Sequence, residues 1–277
     1  MTQLGQCGNQ IGNCFWNLAL REHSVVNEKG IYDSALSTFF LNGAGDDGSY
    51  LPSISGLKAR AVLVDMEEGV VGELLRSPIR NIYDHRFLIT DVSGSGNNWA
   101  VGNYFYGNRY HKELVEVIRK SAELCDCLQC FFLIHSLGGG EWLADKFELT
   151  TVVGTGSGIG THILRILADE YPSVYRIVTA VFPSLDDDVI TSPYNTVLSL
   201  NGLTQMADCV FPIDNSALAN IANRIKAVSK VDTIKTKRSS RSTWSSATGL
   251  PLNSTKNPKP FDEMNNIVAT MLLNLTR

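Results

Sequence analysis

Apolar positions along this chain fall into short β-branched runs alternating with stretches of helical period. Phe131-Phe132-Leu133-Ile134-His135-Ser136-Leu137 runs straight into Gly138-Gly139-Gly140, the pattern of a buried parallel strand that ends in a glycine turn. Ala59 to Asp65, Leu88 to Val92, Arg176 to Pro183 and the run from Ala207 to Ile213 also read as strands. Between them the period changes. Ile11, Phe15, Leu18 and Ala19 recur on one helical face, and Leu114, Val117, Ile118 and Ala122 recur within Tyr110 to Cys125. Ile159 to Tyr171 is a third helical run. Strands alternating with helices predict an α/β fold built on a parallel sheet.

The ends of those strands carry the chemistry. Gly154-Thr155-Gly156-Ser157-Gly158 opens the helical run at Ile159 and, joined to Gly138-Gly139-Gly140, makes strand, Gly-Gly-Gly-Thr-Gly-Ser-Gly, helix. Glycines let the backbone approach a phosphate closely, and the helix N-terminus adds unpaired N–H groups and the positive end of its dipole. Residues 141–154 separate the two pieces and read as an insert. The plainer reading of the glycines is a flexible linker. A second glycine turn, Gly5-Gln6-Cys7-Gly8-Asn9-Gln10-Ile11-Gly12, opens the first helix. Only four residues precede it, spanning roughly 13 Å at full stretch, which is short for a buried strand, so a central first strand is expected to be missing. Asp65 and Glu67 stand at the C-terminal end of a strand, where open α/β sheets bind ligands. Alone they would read as a solvated acidic turn.

Composition narrows the picture. The 277 residues are enough for one large domain or two small ones, and 44% hydrophobic with 19% charged is ordinary for a globular chain. A net charge of −4 gives no reason to invoke nucleic acid or an anionic membrane surface, and no apolar run reaches a membrane-spanning length. No charged-then-apolar leader opens the sequence, so a cytosolic chain is expected. Six cysteines do not make a disulfide framework at this length. Cys125, Cys127 and Cys130 lack a fourth ligand or a second paired knuckle and read as buried thiols rather than a zinc site. Asn253-Ser254-Thr255 and Asn274-Leu275-Thr276 match the glycosylation pattern, by chance in a cytosolic chain. Residues 24–57 are mixed, with a loop composition over Asn42 to Ser49. Residues 226–260 set eight Lys or Arg against Asp232 among many Ser and Thr, the composition of a disordered basic loop.

Taken together, Gly-Gly-Gly-Thr-Gly-Ser-Gly, the turn from Gly5 to Gly12 and Gly96-Asn97-Asn98-Trp99-Ala100 resemble the tubulin superfamily. Phe15-Trp16-Asn17-Leu18-Ala19-Leu20-Arg21-Glu22-His23 resembles the epsilon class within it. The resemblance runs from Gly5 to Asn265 and implies a doubly wound, mostly parallel Rossmann-like sheet, one GTP-binding domain over residues 1–277. It implies GTP or GDP with Mg²⁺ as the ligand and other tubulin-family subunits as partners, in the cytoplasmic cytoskeleton at centrioles or basal bodies.

Residue by residue, it places Gln6 at the phosphates and metal, Cys7 at the guanosine and Gln10 near the base. Asp65 and Glu67 would hold magnesium, usually through water. Gly94, Ser95, Gly96 and Asn97 would meet the terminal phosphates. Gly138, Gly139, Gly140, Thr155, Gly156 and Ser157 would form the rejoined phosphate loop, and Asp188 would contact the ribose. Ser192 stands where tubulins often have Glu. Asn215 and Asn265 would hydrogen-bond the guanine while Phe261, where tubulins commonly have Tyr, stacks on it at the start of a core helix. Without the family, Cys7 would read as a small buried hydrophobe, and Trp99 reads as packed core in either case.

A whole tubulin continues with an intermediate domain and a C-terminal helical pair, which these residues do not contain. The intermediate region carries the acid that completes hydrolysis on a neighbour's nucleotide, so negligible turnover is expected. Two other readings stand beside this one. One is an inactive fragment or flawed gene model. The other is a dinucleotide-dependent oxidoreductase, whose Gly-x-Gly-x-x-Gly is broken by Gly5-Gln6-Cys7-Gly8.

Overall fold

The computed structural model describes residues 1–27, 30–43, 54, 56–92, 94–138, 155–184, 189–238 and 261–276. Eight strands are described: β1 (Thr2–Leu4), β2 (Phe40–Asn42), β3 (Leu57–Ala59), β4 (Val62–Asp65), β5 (Leu88–Thr90), β6 (Cys130–Ser136), β7 (Tyr175–Phe182) and β8 (Cys209–Asp214). The α-helices are α1 (Gly5–Val26), α2 (Ser34–Phe39), α3 (Glu68–Leu74), α4 (Gly107–Glu123), α5 (Thr155–Glu170), α6 (Ser192–Met206), α7 (Asn215–Arg238) and α8 (Asp262–Leu275).

Six strands form one sheet in the order β5-β4-β1-β6-β7-β8, every pairing parallel. Moving outward from β1, one half of the chain builds to one side and the other half to the other. This is the doubly wound arrangement, and its switch point lies between β1 and β6. Crossovers place helices on both faces, so the central strands are buried on both sides, largely by apolar residues, with Thr2, Gln3, His135 and Thr179 buried among them. On one face Leu4, Val64, Leu133, Val178 and Ala180 pack with α4 and α5. On the other Leu63, Ile134, Val181 and Ile213 pack with α1 and α8.

The structure corrects four expectations. The first strand is present: Thr2, Gln3 and Leu4 are buried and pair with both β4 and β6 at the sheet centre. Three residues suffice because both edges are hydrogen-bonded and α1 follows without a loop. The run from Ala59 to Asp65 is two strands, since Leu57–Ala59 pairs antiparallel with β2 in a separate ribbon and the main-sheet strand starts at Val62. The basic stretch 226–260 is not all loop, because α7 continues to Arg238. Lys and Arg are good helix formers, and Ile221, Ile225, Val228 and Val231 keep a helical spacing that the charge composition obscured. The remainder, 239–260, and residues 141–154 lie outside the described residues. Finally, Cys127 is exposed and Cys125 and Cys130 are only half-buried, so the three are not buried thiols.

Candidate functional site

Six connections leave the C-terminal edge of the sheet, and the described residues singled out for phosphate, sugar, base or metal lie on them, at the strand ends that feed them, or at the start of α8. Gly5 follows β1 with a φ of 66°, a conformation side chains avoid. A Cβ there would sit 2.9 Å from the Gly156 nitrogen. The first turn and the start of α5 therefore touch backbone to backbone. Gln6, Cys7 and Gln10 lie half-buried along the first turns of α1. Thr155, Gly156 and Ser157 form the buried first turn of α5, and Gly138 follows β6 beside Pro183. Gly139, Gly140 and Asp188 lie outside the described residues.

Asp65 ends β4 with no solvent exposure, and neither carboxylate oxygen has a hydrogen-bond partner of ordinary geometry among the described residues. Burial raises its carboxyl to about 7, with the Glu67 carboxylate adding to the rise; the Thr155 hydroxyl and nearby amides pull the other way. Glu67, half-buried at the start of α3, is raised by burial too. Two carboxylates held partly dry, one of them without a hydrogen-bond partner among the described residues, form a donor set of the kind a cation takes. Among the described residues no group of three or more His, Cys, Asp or Glu could hold a metal alone. That fits an ion of the magnesium type, which binds through one or two carboxylates and completes its shell with phosphate and water.

The loop after β5 is built to present its backbone. Gly94 and Gly96 have φ of 61° and Asn97 has φ of 51°. The Gly94 N–H donates to the Met66 carbonyl at 2.7 Å, and the Tyr106 hydroxyl donates to the Gly94 carbonyl at 2.9 Å. Tyr106 closes a π-helical segment, Val101–Tyr106, that the periodicity did not announce. The Ser95 hydroxyl is buried without a partner among the described residues. Trp99 is core, as expected, with its indole N–H donating to the Thr161 hydroxyl at 3.2 Å.

At the other end two of the residues expected near the base, Gln10 and Asn265, meet. The Asn265 amide donates to the Gln10 side-chain oxygen at 3.4 Å, joining α8 to α1 across 255 residues of sequence. Asn215 starts α7 behind Asp214, whose carboxylate accepts from the Ser216 N–H at 2.7 Å. Lys226 on α7 pairs with Glu263 on α8 at 2.6 Å. Phe261 immediately precedes α8, half-buried, with a φ of 73°.

Several residues of the site were not singled out by sequence. Asn9 is buried and donates to the Gly5 carbonyl at 2.9 Å, holding the first turn. Asn195, also buried, binds the Trp99 N–H at 2.9 Å and the carbonyls of Asn97 and Gly138 at 3.0 and 2.9 Å. Ser192, already noted in the sequence, turns its hydroxyl toward the Gly138 carbonyl at 3.4 Å. The spacing of Thr191, Asn195 and Ser199, four residues apart each time, was a visible signal for a polar face on α6.

Comparison with known proteins agrees with this geometry. The model of the Tubulin/FtsZ family GTPase domain matches residues 1–141 and 147–223, passing over a short stretch within 141–154. The tubulin epsilon chain of Mus musculus is 54% identical over 281 aligned residues, covering 100% of this chain and 56% of its own length. That of Homo sapiens is 53% identical with the same coverage. A tubulin beta-3 chain of Echinococcus multilocularis is 39% identical over 80% of this chain. This chain thus spans little more than half the length of its epsilon relatives. With the family model matching most of its length and the glycine turns, strand ends and sheet order in agreement, the chain belongs to the Tubulin/FtsZ family and carries that family's GTPase domain.

Proposed function

We propose that this chain is the guanine-nucleotide-binding domain of an epsilon-class tubulin, taking GTP or GDP with Mg²⁺ and serving microtubule-based assemblies at centrioles or basal bodies. Its partners on this reading are other tubulin-family subunits, with neither nucleic acid nor membrane among them. No described helix is long and apolar enough to cross a membrane. The observation that carries the reading is the meeting of Gln10 with Asn265 at one end of the cleft while the orphaned Asp65 carboxylate stands at the other.

A purine nucleotide laid across the switch point would place its base between α1, α7 and α8 and its phosphates over Gly5, Gly94 to Asn97 and the start of α5. The amides of Asn215 and Asn265 offer both donors and acceptors, which suits the Watson–Crick edge of guanine. Phe261 offers a ring face to the base. The N-terminal dipole of α5 faces the phosphates, and Asp65 with Glu67 would hold the magnesium, which supplies positive charge against them. Among the described residues there is no Ser-His-Asp or metal-hydroxide constellation, and on this reading the chain by itself is a binder with negligible turnover. Titration of the purified chain with GTP and ATP in the presence of Mg²⁺ tests the reading: GTP binds more tightly, and equal affinity refutes it. Turnover on the order of 10 per second, typical of metabolic enzymes, would refute the second part. Stabilisation by NAD rather than GTP would favour a dinucleotide oxidoreductase instead.

A further inference from the structure

Over its first turns helix α6 buries polar side chains, Ser192, Asn195 and Ser199, ahead of Gly202 and Leu203. Thr191, which precedes the helix, and Asn195 and Ser199 within it follow one another at helical spacing on one side. Each hydroxyl or amide reaches backbone in another element. The Thr191 hydroxyl donates to the Asn97 carbonyl at 2.8 Å. The Asn195 amide nitrogen donates to the carbonyls of Asn97 and Gly138, and its oxygen accepts from the Trp99 N–H. The Ser199 hydroxyl donates to the Ser157 carbonyl at 3.3 Å. The three recipients belong to the loop after β5, the end of β6 and the first turn of α5.

Those are the three segments on the phosphate side of the site. Within one buried side chain, both amide hydrogens and one oxygen lone pair of Asn195 are committed to two of them. Asn97 holds a left-handed conformation that costs free energy for a residue with a side chain. Its carbonyl is gripped twice, by Thr191 and by Asn195, which is what keeps that conformation populated.

We infer that Asn195, with Thr191, is a positioning residue for the terminal phosphate: it fixes the loop Gly94–Asn97 relative to the end of β6 without itself touching the ligand. The inference rests on the guanine-nucleotide reading above. GDP lacks the terminal phosphate, so a loop set out of register penalises GTP more than GDP. A residue that only held the fold together would weaken both alike. Asn195→Asp keeps the shape and the acceptor for Trp99 but turns a carboxylate toward two carbonyls. Thr191→Val removes one grip on Asn97 at a half-buried position, and Thr191→Ser retains it.

The test is calorimetric titration of the full 277-residue chain and each variant with GTP and with GDP in Mg²⁺, with thermal melting to confirm folding. Asn195→Asp and Thr191→Val lose about tenfold more affinity for GTP than for GDP, the scale of one well-formed hydrogen bond, and Thr191→Ser keeps the wild-type ratio. Should Asn195→Asp fail to fold, Thr191→Val decides. A GTP-to-GDP ratio within about twofold of wild type in either folded variant overturns the inference and leaves the reading standing. A wild-type chain that binds neither nucleotide overturns both.

Discussion

Asp65 is where a single residue has the most to say. Its carboxyl titrates near 7 when folded but near 3.8 in the open chain. The folded state therefore holds more protons between those values, and stability falls as pH rises through that window, with the full loss present above about 7. The size is on the order of a few kcal/mol, and a bound cation would recover it. Melting temperatures of the chain from pH 4 to 8 should decline with pH, and Mg²⁺ with GTP should raise them more at pH 8 than at pH 6. Asp65→Asn should flatten the decline and abolish the Mg²⁺ gain; an unchanged pH profile in that variant would show that another group is responsible. Phe261 makes the opposite trade. Its φ of 73° is disfavoured for any residue with a Cβ, by roughly 1–2 kcal/mol. Phe261→Gly should relieve that strain and leave the melting temperature equal or higher while nucleotide affinity drops, whereas Phe261→Tyr keeps the ring and the affinity. Loss of affinity in the Tyr variant would mean the ring is not stacking.

Among the elements, the seating of α1 and α5 on the sheet decides the shape of the cleft. A Cβ on Gly8 would lie 2.1 Å from the Ile134 carbonyl oxygen, and one on Gly158 would lie 2.4 Å from the Trp99 carbonyl oxygen. Neither neighbour is a flexible side chain, so backbone must move. Gly8→Ala should cost ~3 kcal/mol, the upper end of overpacking, and displace the half-buried Gln6, Cys7 and Gln10 with the helix. Denaturant unfolding measures the first effect and nucleotide titration the second. By contrast Gly72, inside α3, has open space where its Cβ would be, and Gly72→Ala should be neutral or mildly stabilising. A Gly8→Ala chain as stable as wild type would mean that α1 shifts without penalty.

For the whole molecule, the question is whether residues 141–154 interfere with the phosphate loop they interrupt. Closing a loop of about fourteen residues costs only ~2 kcal/mol in chain entropy, so Gly140 and Thr155 could meet as if nothing intervened. The effect is steric and hydrophobic instead. Trp142, Leu143, Phe147, Leu149, Val152 and Val153 make the segment rich in apolar side chains, and burying such side chains stabilises by ~1.5–3 kcal/mol each. That can outweigh a few phosphate hydrogen bonds at ~1.5–3 kcal/mol apiece. Deleting Glu141 to Gly154 leaves Gly-Gly-Gly-Thr-Gly-Ser-Gly continuous and should tighten GTP. Titration of both forms with a fluorescent GTP analogue is the measurement, and equal affinity would show the segment to be harmless.

Much of this molecule was legible before any coordinates. The strands around Phe131–Leu137 and Arg176–Phe182, the helices opened by Gly5 and by Thr155, and the clustering of chemistry at strand ends all follow from local patterning, because burial on two faces forces apolar runs and turns demand glycine. What local patterning does not contain is the partner. Thr2–Leu4 reads as too short for a strand until β4 and β6 are seen on either side of it. The basic run from Lys226 to Arg238 reads as loop until α7 carries it. Asn195 reads as an ordinary polar helix residue, because its worth lies in the carbonyls of Asn97 and Gly138, 98 and 57 residues upstream. Likewise the raised carboxyl of Asp65 comes from desolvation by surrounding elements, a quantity no stretch of sequence holds. Periodicity and turn chemistry are local and so were written in the chain, whereas desolvation, register and long-range hydrogen bonding exist only once distant segments are brought together.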